Sequence, residues 1–533
     1  MSAGLAGTGS LIRLALRRDR VVLPVSIVIF TAIAVGSAQA SIAVFPTVQS
    51  RITAAESVNH APALVAMYGR VYDPTSLGAV SMIKMIALYV LFLAVLGIFT
   101  VTRHTRAEEE TGRLELLGAA VVGRYATLTA ALAVSFGVMV TIGLLVGAGL
   151  ITVGLPVGGS LAFGLMWIGV GCCYAAVAAV ATQITDSARA SNGLAAGTMA
   201  LAFVLRAIGD TSGPGWFSWL SPSGWGVQVR PFAGDRWWVL LLPLGFTAVA
   251  STAAYQLAAR RDLGSGLLQA HPGPKHAARW LRTPFGLAWR LQRGALLGWT
   301  IGFAVGGLFA GNIAADIGTM MSGNDQLGEL LQSMGGVAGL TDAYFVAMLG
   351  ILSVLASAYG VQAALRLRSE EASQRAEPLL ATPVQRSAWM LGHLTIAFAG
   401  TAWLIMIAGI TAGLAHGVQT DDLTRAFGRV VEGALVQIPA IWVLVGLVAA
   451  LFGVLPRWSS SAWVFLVFFL LLGEFGALFK LNQMIMDLSP YAHVPRLPGG
   501  QFSLPPLAWL TALTVVLTGI GILAFRHRDL RSA

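Results

Sequence analysis

Glu108-Glu109-Glu110-Thr111-Gly112-Arg113-Leu114-Glu115-Leu116-Leu117-Gly118-Ala119-Ala120-Val121-Val122-Gly123-Arg124 has a second copy in Glu370-Glu371-Ala372-Ser373-Gln374-Arg375-Ala376-Glu377-Pro378-Leu379-Leu380-Ala381-Thr382-Pro383-Val384-Gln385-Arg386. An offset of 262 positions makes Glu108/Glu370, Glu109/Glu371, Arg113/Arg375, Glu115/Glu377, Leu117/Leu379, Ala119/Ala381, Val122/Val384 and Arg124/Arg386 identical. The chain is therefore read as a tandem duplication. Only 11% of its residues are charged, yet both copies keep their charges at one spacing, which a merely solvated loop does not require. Two juxtamembrane loops that happen to be polar are the plainer alternative.

The flanking sequence sets the class. With 56% hydrophobic residues and a mean hydropathy of +0.75, a chain of this length is expected to be an all-α polytopic membrane protein. A helix crossing about 30 Å of hydrocarbon needs about 20 apolar residues, and such runs recur between short polar breaks. They fall near residues 21–43, 78–102, 125–150, 160–184, 193–209 and 237–257, then 294–315, 342–366, 388–415, 430–455, 462–481 and 506–525. The expectation is twelve transmembrane helices in two six-helix halves, 1–257 and 294–533, joined by a cytoplasmic linker and interfacial helix at 258–293. An even number per half gives parallel repeats related by a pseudo-two-fold axis along the membrane normal.

Charge fixes the expected orientation. With the N-terminus inside, the inner segments carry 24 of the basic residues and the outer loops carry seven (Arg51, Arg70, Arg230, Arg236, Arg425, Arg429 and Arg496). Positive residues accumulate on the cytoplasmic side, so both termini and both acidic segments are expected there. The formal charge of +10 then needs no nucleic acid to explain it. Arg13, Arg17 and Arg20 suit a helix lying in the inner interface. Leu14-Ala15 with Arg17 and Arg20 recurs as Leu287-Ala288 with Arg290 and Arg293, so the first apolar run is read as a retained span, although Ala38-Gln39-Ala40 imitates a signal-peptidase site.

Other features read as structural. Cys172 and Cys173 lie side by side in an apolar run, where packing outweighs a disulfide or a metal site. Residues 44–77 form an outer loop with a short apolar stretch from Ala63 to Tyr68. Trp216, Trp219 and Trp225 suit interfacial anchors, and Leu220-Ser221-Pro222 is matched by Leu488-Ser489-Pro490. Gly298, Gly302 and Gly306, spaced by four, predict a close helix-packing face.

Several chemistries find no support. A P-loop needs Gly-x-x-x-x-Gly-Lys-Ser/Thr to cradle phosphates, and the three lysines, Lys84, Lys275 and Lys480, lie in no such setting. Leu497-Pro498-Gly499-Gly500-Gln501 is read as a Gly-Pro turn. The histidines show no ligand spacing, so neither a metal nor a catalytic set is expected, and this chain should hold no cofactor of its own.

The Glu-Glu-x-x-Gly-Arg-x-Glu-x-Leu of residues 109 to 117 and the Glu-x-Leu-Leu-Ala-Thr-Pro-Val of residues 377 to 384 resemble the intracellular segment of ABC-2-type exporter permeases. Two fused halves look most like the tetronasin and polyketide antibiotic exporter permeases. The resemblance implies the ABC-2 (type V) exporter fold in a bacterial plasma membrane, two copies of a separate ATPase subunit that binds ATP and Mg, and an amphipathic small-molecule substrate. It also implies that Glu108, Glu109, Arg113 and Glu115, with Glu370, Glu371, Arg375 and Glu377, contact the ATPase. The copies depart from the pattern differently. The first has Gly118-Ala119-Ala120-Val121 where Leu-Ala-Thr-Pro is usual, and the second has Gln374 for the Gly and Pro378 inside the motif, so the two contacts are expected to be unequal.

The main rival is an ion-coupled secondary transporter, a drug/proton antiporter by likeness, which also fits twelve spans in parallel halves. It would need a relay of intramembrane carboxylates, and Glu474 is the one good candidate. The offset that aligns the two Leu-Ser-Pro motifs places Arg206 opposite Glu474. These opposite charges within spans could form an ion pair at the outer end of an export pathway, or Arg206 could simply snorkel outward.

Overall fold

The computed structural model describes residues 3–112, 122–211, 214–261, 266, 267, 275–321, 336–475 and 482–529. The chain divides into two compact units, Met1–Gly273 and Pro274–Ala533. Eleven helices among the described residues are long and apolar enough to cross a membrane. Of the twelve expected spans, 462–481 is described as helix only through Phe475. The chain is a polytopic membrane protein.

In the first unit an amphipathic helix α1 (Thr8–Arg18) precedes the first span, α2 (Val22–Val44). The loop expected over 44–77 is instead largely helical, with α3 (Val48–His60) and α4 (Pro62–Tyr68). Thr47 caps α3 by accepting from Ser50 N, and Pro62 takes the first turn of α4, where no backbone donor is needed. Apolar residues every few positions let this pair bury Ala55, Ala63 and Val65, a pattern too short to stand out from a polar loop.

The second span starts as α5 (Leu77–Lys84), widens into a π-helical turn over Met85–Tyr89, and continues as α6 (Val90–His104). The Trp167 indole donates to the Met85 carbonyl at that turn, 3.1 Å away. After a break at Thr105 the chain forms α7 (Arg106–Glu110), which holds the acidic run. Then come α8 (Ala126–Thr152), α9 (Val157–Ile184), α10 (Ala188–Thr211), a short α11 (Pro222–Gln228) and α12 (Leu241–Arg260). Helices α8 and α9 cross so tightly that a Cβ on Gly143 would lie 2.5 Å from the Gly164 carbonyl oxygen. The core centres on buried Leu93, Met139, Phe163 and Trp167, while the residues of α2 such as Val25, Val28 and Ile29 face outward, as an apolar solvent allows.

The second unit opens with one unbroken helix, α13 (Pro284–Met321), where the first unit has separate α1 and α2. The interfacial helix expected within 258–293 is thus continuous with the helix of the seventh expected span. Gln292 stands where Asp19 ends α1 in the other copy. Helices α14 (Gly336–Ala364), α15 (Arg366–Ala372), α16 (Ala376–Leu380), α17 (Arg386–Gln419), α18 (Leu423–Leu435), α19 (Ile438–Val454), α20 (Ala462–Phe475) and α21 (Leu504–His527) follow.

The glycine face expected on α13 is misplaced by one position. A Cβ on Gly298 or Gly302 would meet nothing within 4 Å, whereas one on Gly307 or Gly311 would lie 2.4 or 2.2 Å from the carbonyl oxygens of Ala408 and Ala412. One residue turns a helix by about 100°, and Ala408 and Ala412 of α17 are the small residues that accept the approach. Leu220-Ser221-Pro222 proves to be a helix start. Ser221 Oγ accepts from Gly224 N at 3.2 Å, and Pro222 takes the first turn of α11. Residues 497–501 form a turn with Gly499 at φ +100°. Cys172 and Cys173 are free and buried.

Candidate functional site

The acidic segments sit where the second span of each unit ends. Apolar α6 and α14 carry the chain to one face of the unit. Short helices α7 and α15 then place carboxylates among arginines from the neighbouring helix ends. A carboxylate held by guanidinium groups in such partly buried surroundings makes charge-assisted bonds stronger than ordinary ones.

In the first unit Glu109 accepts from two arginines. Arg106 Nη1 reaches Oε2 at 2.6 Å, and Arg261 closes a bidentate pair, Nη1 to Oε2 at 2.8 Å and Nη2 to Oε1 at 2.5 Å. Arg106 is fully buried. Its Nε and Nη2 donate to the Thr182 carbonyl at 3.2 and 2.8 Å, and Nη2 also to that of Thr185, which ties α7 to the end of α9. Arg261 Nε donates to Gln183 Oε1 at 2.6 Å. Glu108 pairs with Arg18 at the end of α1. Glu110 accepts from the Ala188 backbone N at 2.7 Å, at the start of α10. Beside this cluster, buried Asp19 pairs with Arg103 at 3.0 Å and His104 at 2.6 Å.

In the second unit Glu371 pairs with Arg528 at 2.9 Å. Buried Glu370 pairs with Arg366 at 2.7 Å and more distantly with Arg375 at 3.8 Å. Arg368 Nη1 donates to Ser460 Oγ at 2.6 Å, in the turn that leads into α20. Arg375 has 64% of its side chain exposed, and Glu377, Pro378 and Ala381–Pro383 are exposed as well. This rim is polar, charged and available to another protein surface.

Of the expected contact residues, the structure brings Glu108 and Glu109 together on α7, and Glu370 and Glu371 on α15. It gives each a partner within its own unit. Arg375 and Glu377 stand apart on the exposed rim. Arg113 and Glu115 lie outside the described residues. Sequence reading missed Arg106 and Arg368, although both sit at the same 262-residue offset as the acidic positions and could have been found there. It also missed Arg261 and Arg528. Their offset is 267, because the connections between later helices differ in length, but each opens the same Arg-Asp-Leu, at 261–263 and 528–530, a repeat that could have marked them.

The other expected site residues lie away from these segments. Arg206 on α10 is fully buried. Its Nη1 bonds Asp210 Oδ2 at 3.1 Å, one helical turn away, and its Nη2 donates to the Ala66 carbonyl of α4. Asp210 also accepts from Ser218 Oγ at 2.6 Å, and its carbonyl accepts from Arg70 Nε at 2.9 Å. The guanidinium is thus paired inside the first unit, with only its Nε lacking a hydrogen-bond partner. Glu474 lies in the last described turn of α20, but its side chain is outside the described residues, so the Arg206–Glu474 pairing stays a proposal. No group of three metal-ligating side chains occurs among the described residues.

Residues 281–526 match the family described as "Multidrug efflux system permease Rv1217c, C-terminal domain". Over 530 residues the chain is 44% identical to the multidrug efflux system permease protein Rv1217c of Mycobacterium tuberculosis, a match that spans 99% of this chain and 96% of that protein. Likeness of that extent leaves little of either chain unmatched, and the chain belongs to the family of the multidrug efflux system permease Rv1217c.

Proposed function

We propose that the chain is the membrane-spanning subunit of an ATP-driven exporter that expels amphipathic, largely hydrophobic compounds. The observation that carries the reading is the acidic segment itself, duplicated in sequence and placed at the same end of its second span in each unit. A firmly held segment with an exposed charged rim, Arg375 to Pro383, suits a rigid contact with a partner. The relative's name supports efflux of several drugs as the task. In this reading both segments and both termini face the cytoplasm of a bacterial cell, the fold is of the ABC-2 kind with twelve spans, and two ATPase subunits supply the ATP- and Mg-dependent step.

Asp210, in the last turn of α10, is paired with Arg206, and Asp342 near the start of α14 is paired with Arg429, which favours this over an ion-coupled transporter, whose carboxylates must exchange protons or sodium. The test is purification with the candidate ATPase. The chain alone should neither bind nor hydrolyse ATP, and native mass measurement should find two ATPase subunits per permease. Nucleotide binding by the chain alone, or a single ATPase subunit, would overturn the reading.

A further inference from the structure

The last helix of each unit ends on an arginine that performs two tasks at once. Arg261 follows α12 directly. Its side chain makes the bidentate pair with Glu109, and its carbonyl accepts from Arg124 Nη2 at 3.0 Å. Arg124 adds bonds to the Ala258 and Ala259 carbonyls at 3.2 and 2.7 Å, where a helix C-terminus leaves acceptors unsatisfied. Arg528 follows α21 in the same way. Its side chain pairs with Glu371 at 2.9 Å, and its carbonyl accepts from Arg386 Nη1 at 2.5 Å. The duplication relates Glu109 to Glu371 and Arg124 to Arg386, and the fold supplies the third member twice.

We propose that Arg261 and Arg528 are positioning residues that latch the last helix of each unit to its acidic segment and to the start of its third span. A displacement of the segment then reaches the last helix without passing through the apolar core. The proposal rests on the reading of the segments as ATPase contacts and goes beyond it by naming the element that receives the motion.

The two latches are unequal. Glu109 has a second arginine in Arg106, and Arg261 has Gln183 as well. Arg528 instead lies over the rings of Phe452 and Phe525, 5.1 and 5.3 Å from their centroids, and its Nε and Nη1 have no hydrogen-bond partner. Glu371 Oε1 is likewise without one. The second latch therefore hangs on fewer directional bonds and is the one that opens more readily.

Spin labels on the full-length chain in nanodiscs test this directly. With Cys172 and Cys173 replaced by alanine, one pair is placed at Ser373→Cys and His527→Cys and the other at Thr111→Cys and Arg260→Cys. Arg528→Gln and Glu371→Gln should each broaden the first distance distribution, and the double exchange Glu371→Arg with Arg528→Glu should narrow it again. Arg261→Gln should broaden the second pair less, because Arg106 still holds Glu109. With the ATPase bound, Arg528→Gln should lower transport per ATP hydrolysed by about tenfold or more, the scale of losing one charge-assisted bond, while hydrolysis persists. Unchanged distances in the single variants, or broadened distances with unchanged transport per ATP, would overturn the latch. If no ATPase associates with any form, the ATP-driven reading fails, and the distances alone decide whether the latch exists.

Discussion

A guanidinium within a span costs up to roughly 2.5–3.5 kcal/mol on insertion scales, the value at the bilayer centre. Arg206 offsets that cost with Asp210 on its own helix and a backbone carbonyl of α4. Removing one partner of such a buried pair costs about 3–5 kcal/mol, because the other charge is left uncompensated. Arg206→Met should therefore lower the detergent melting temperature sharply, and Arg206→Met with Asp210→Leu should recover much of the loss. A double variant as unstable as the single would show that the charge pair is not what matters. Glu109 and Glu371 separate by the same logic. Glu109→Lys sets a cation against both Arg106 and Arg261 and should reduce the yield of folded protein, while Glu371→Lys should fold and weaken ATPase stimulation. The sequence made Arg206 visible as a lone charge in an apolar run. Asp210, four residues on, was legible in the same line, yet its pairing depends on α10 continuing as helix to Thr211.

Elements were legible wherever a long apolar run forces a helix, and less so where packing selects a face. Gly298, Gly302 and Gly306 on α13 announced a close-packing face that lies instead at Gly307 and Gly311. Which four-residue register meets the neighbour was decided by Ala408 and Ala412 on α17, residues far away in the chain. Substitution separates the two faces. Gly311→Ala drives a Cβ into the Ala412 carbonyl and should cost about 1–3 kcal/mol. Gly298→Ala and Gly302→Ala should be neutral or gain up to about 1 kcal/mol from the better helix former. Thermal unfolding of the three variants side by side checks this, and equal loss at all three would return the packing face to Gly298 and Gly302. The helices α3 and α4 were hidden for a different reason. The thirteen residues of α3 show no strong apolar face and α4 is only seven residues long, and their stability comes from burial against the spans and from the bonds of Arg51, Asn59 and Arg70 to backbone groups.

For the whole molecule, composition alone announced a membrane protein, and the repeated charges announced that something is done twice. What the charges do could not be read so simply. Glu108, Glu109, Glu370 and Glu371 are spent largely on their own unit, which leaves the exposed rim at Arg375 and Glu377 for a partner. Removing both rim charges, Arg375→Gln with Glu377→Gln, gives up only the distant 3.8 Å pair with Glu370 and should change stability by no more than about 1 kcal/mol, yet reduce ATPase association. Unaltered association would move the docking contact elsewhere.

Arg261 seals the first unit before the connection to the second begins. Leu267 N still donates to the Gln183 carbonyl at 3.2 Å, on the residue whose side chain receives Arg261, so the first unit runs on past its seal. Cutting the gene after Gly273, where the two compact units part, and producing the halves from separate messages should give two polypeptides that each fold and reassemble into a working permease. Moving the cut upstream of Arg260 severs the seal from the half it closes, and that half should be degraded. The ancestor of such a chain is then a free-standing half, closed by its last arginine, which duplication joined to its own copy.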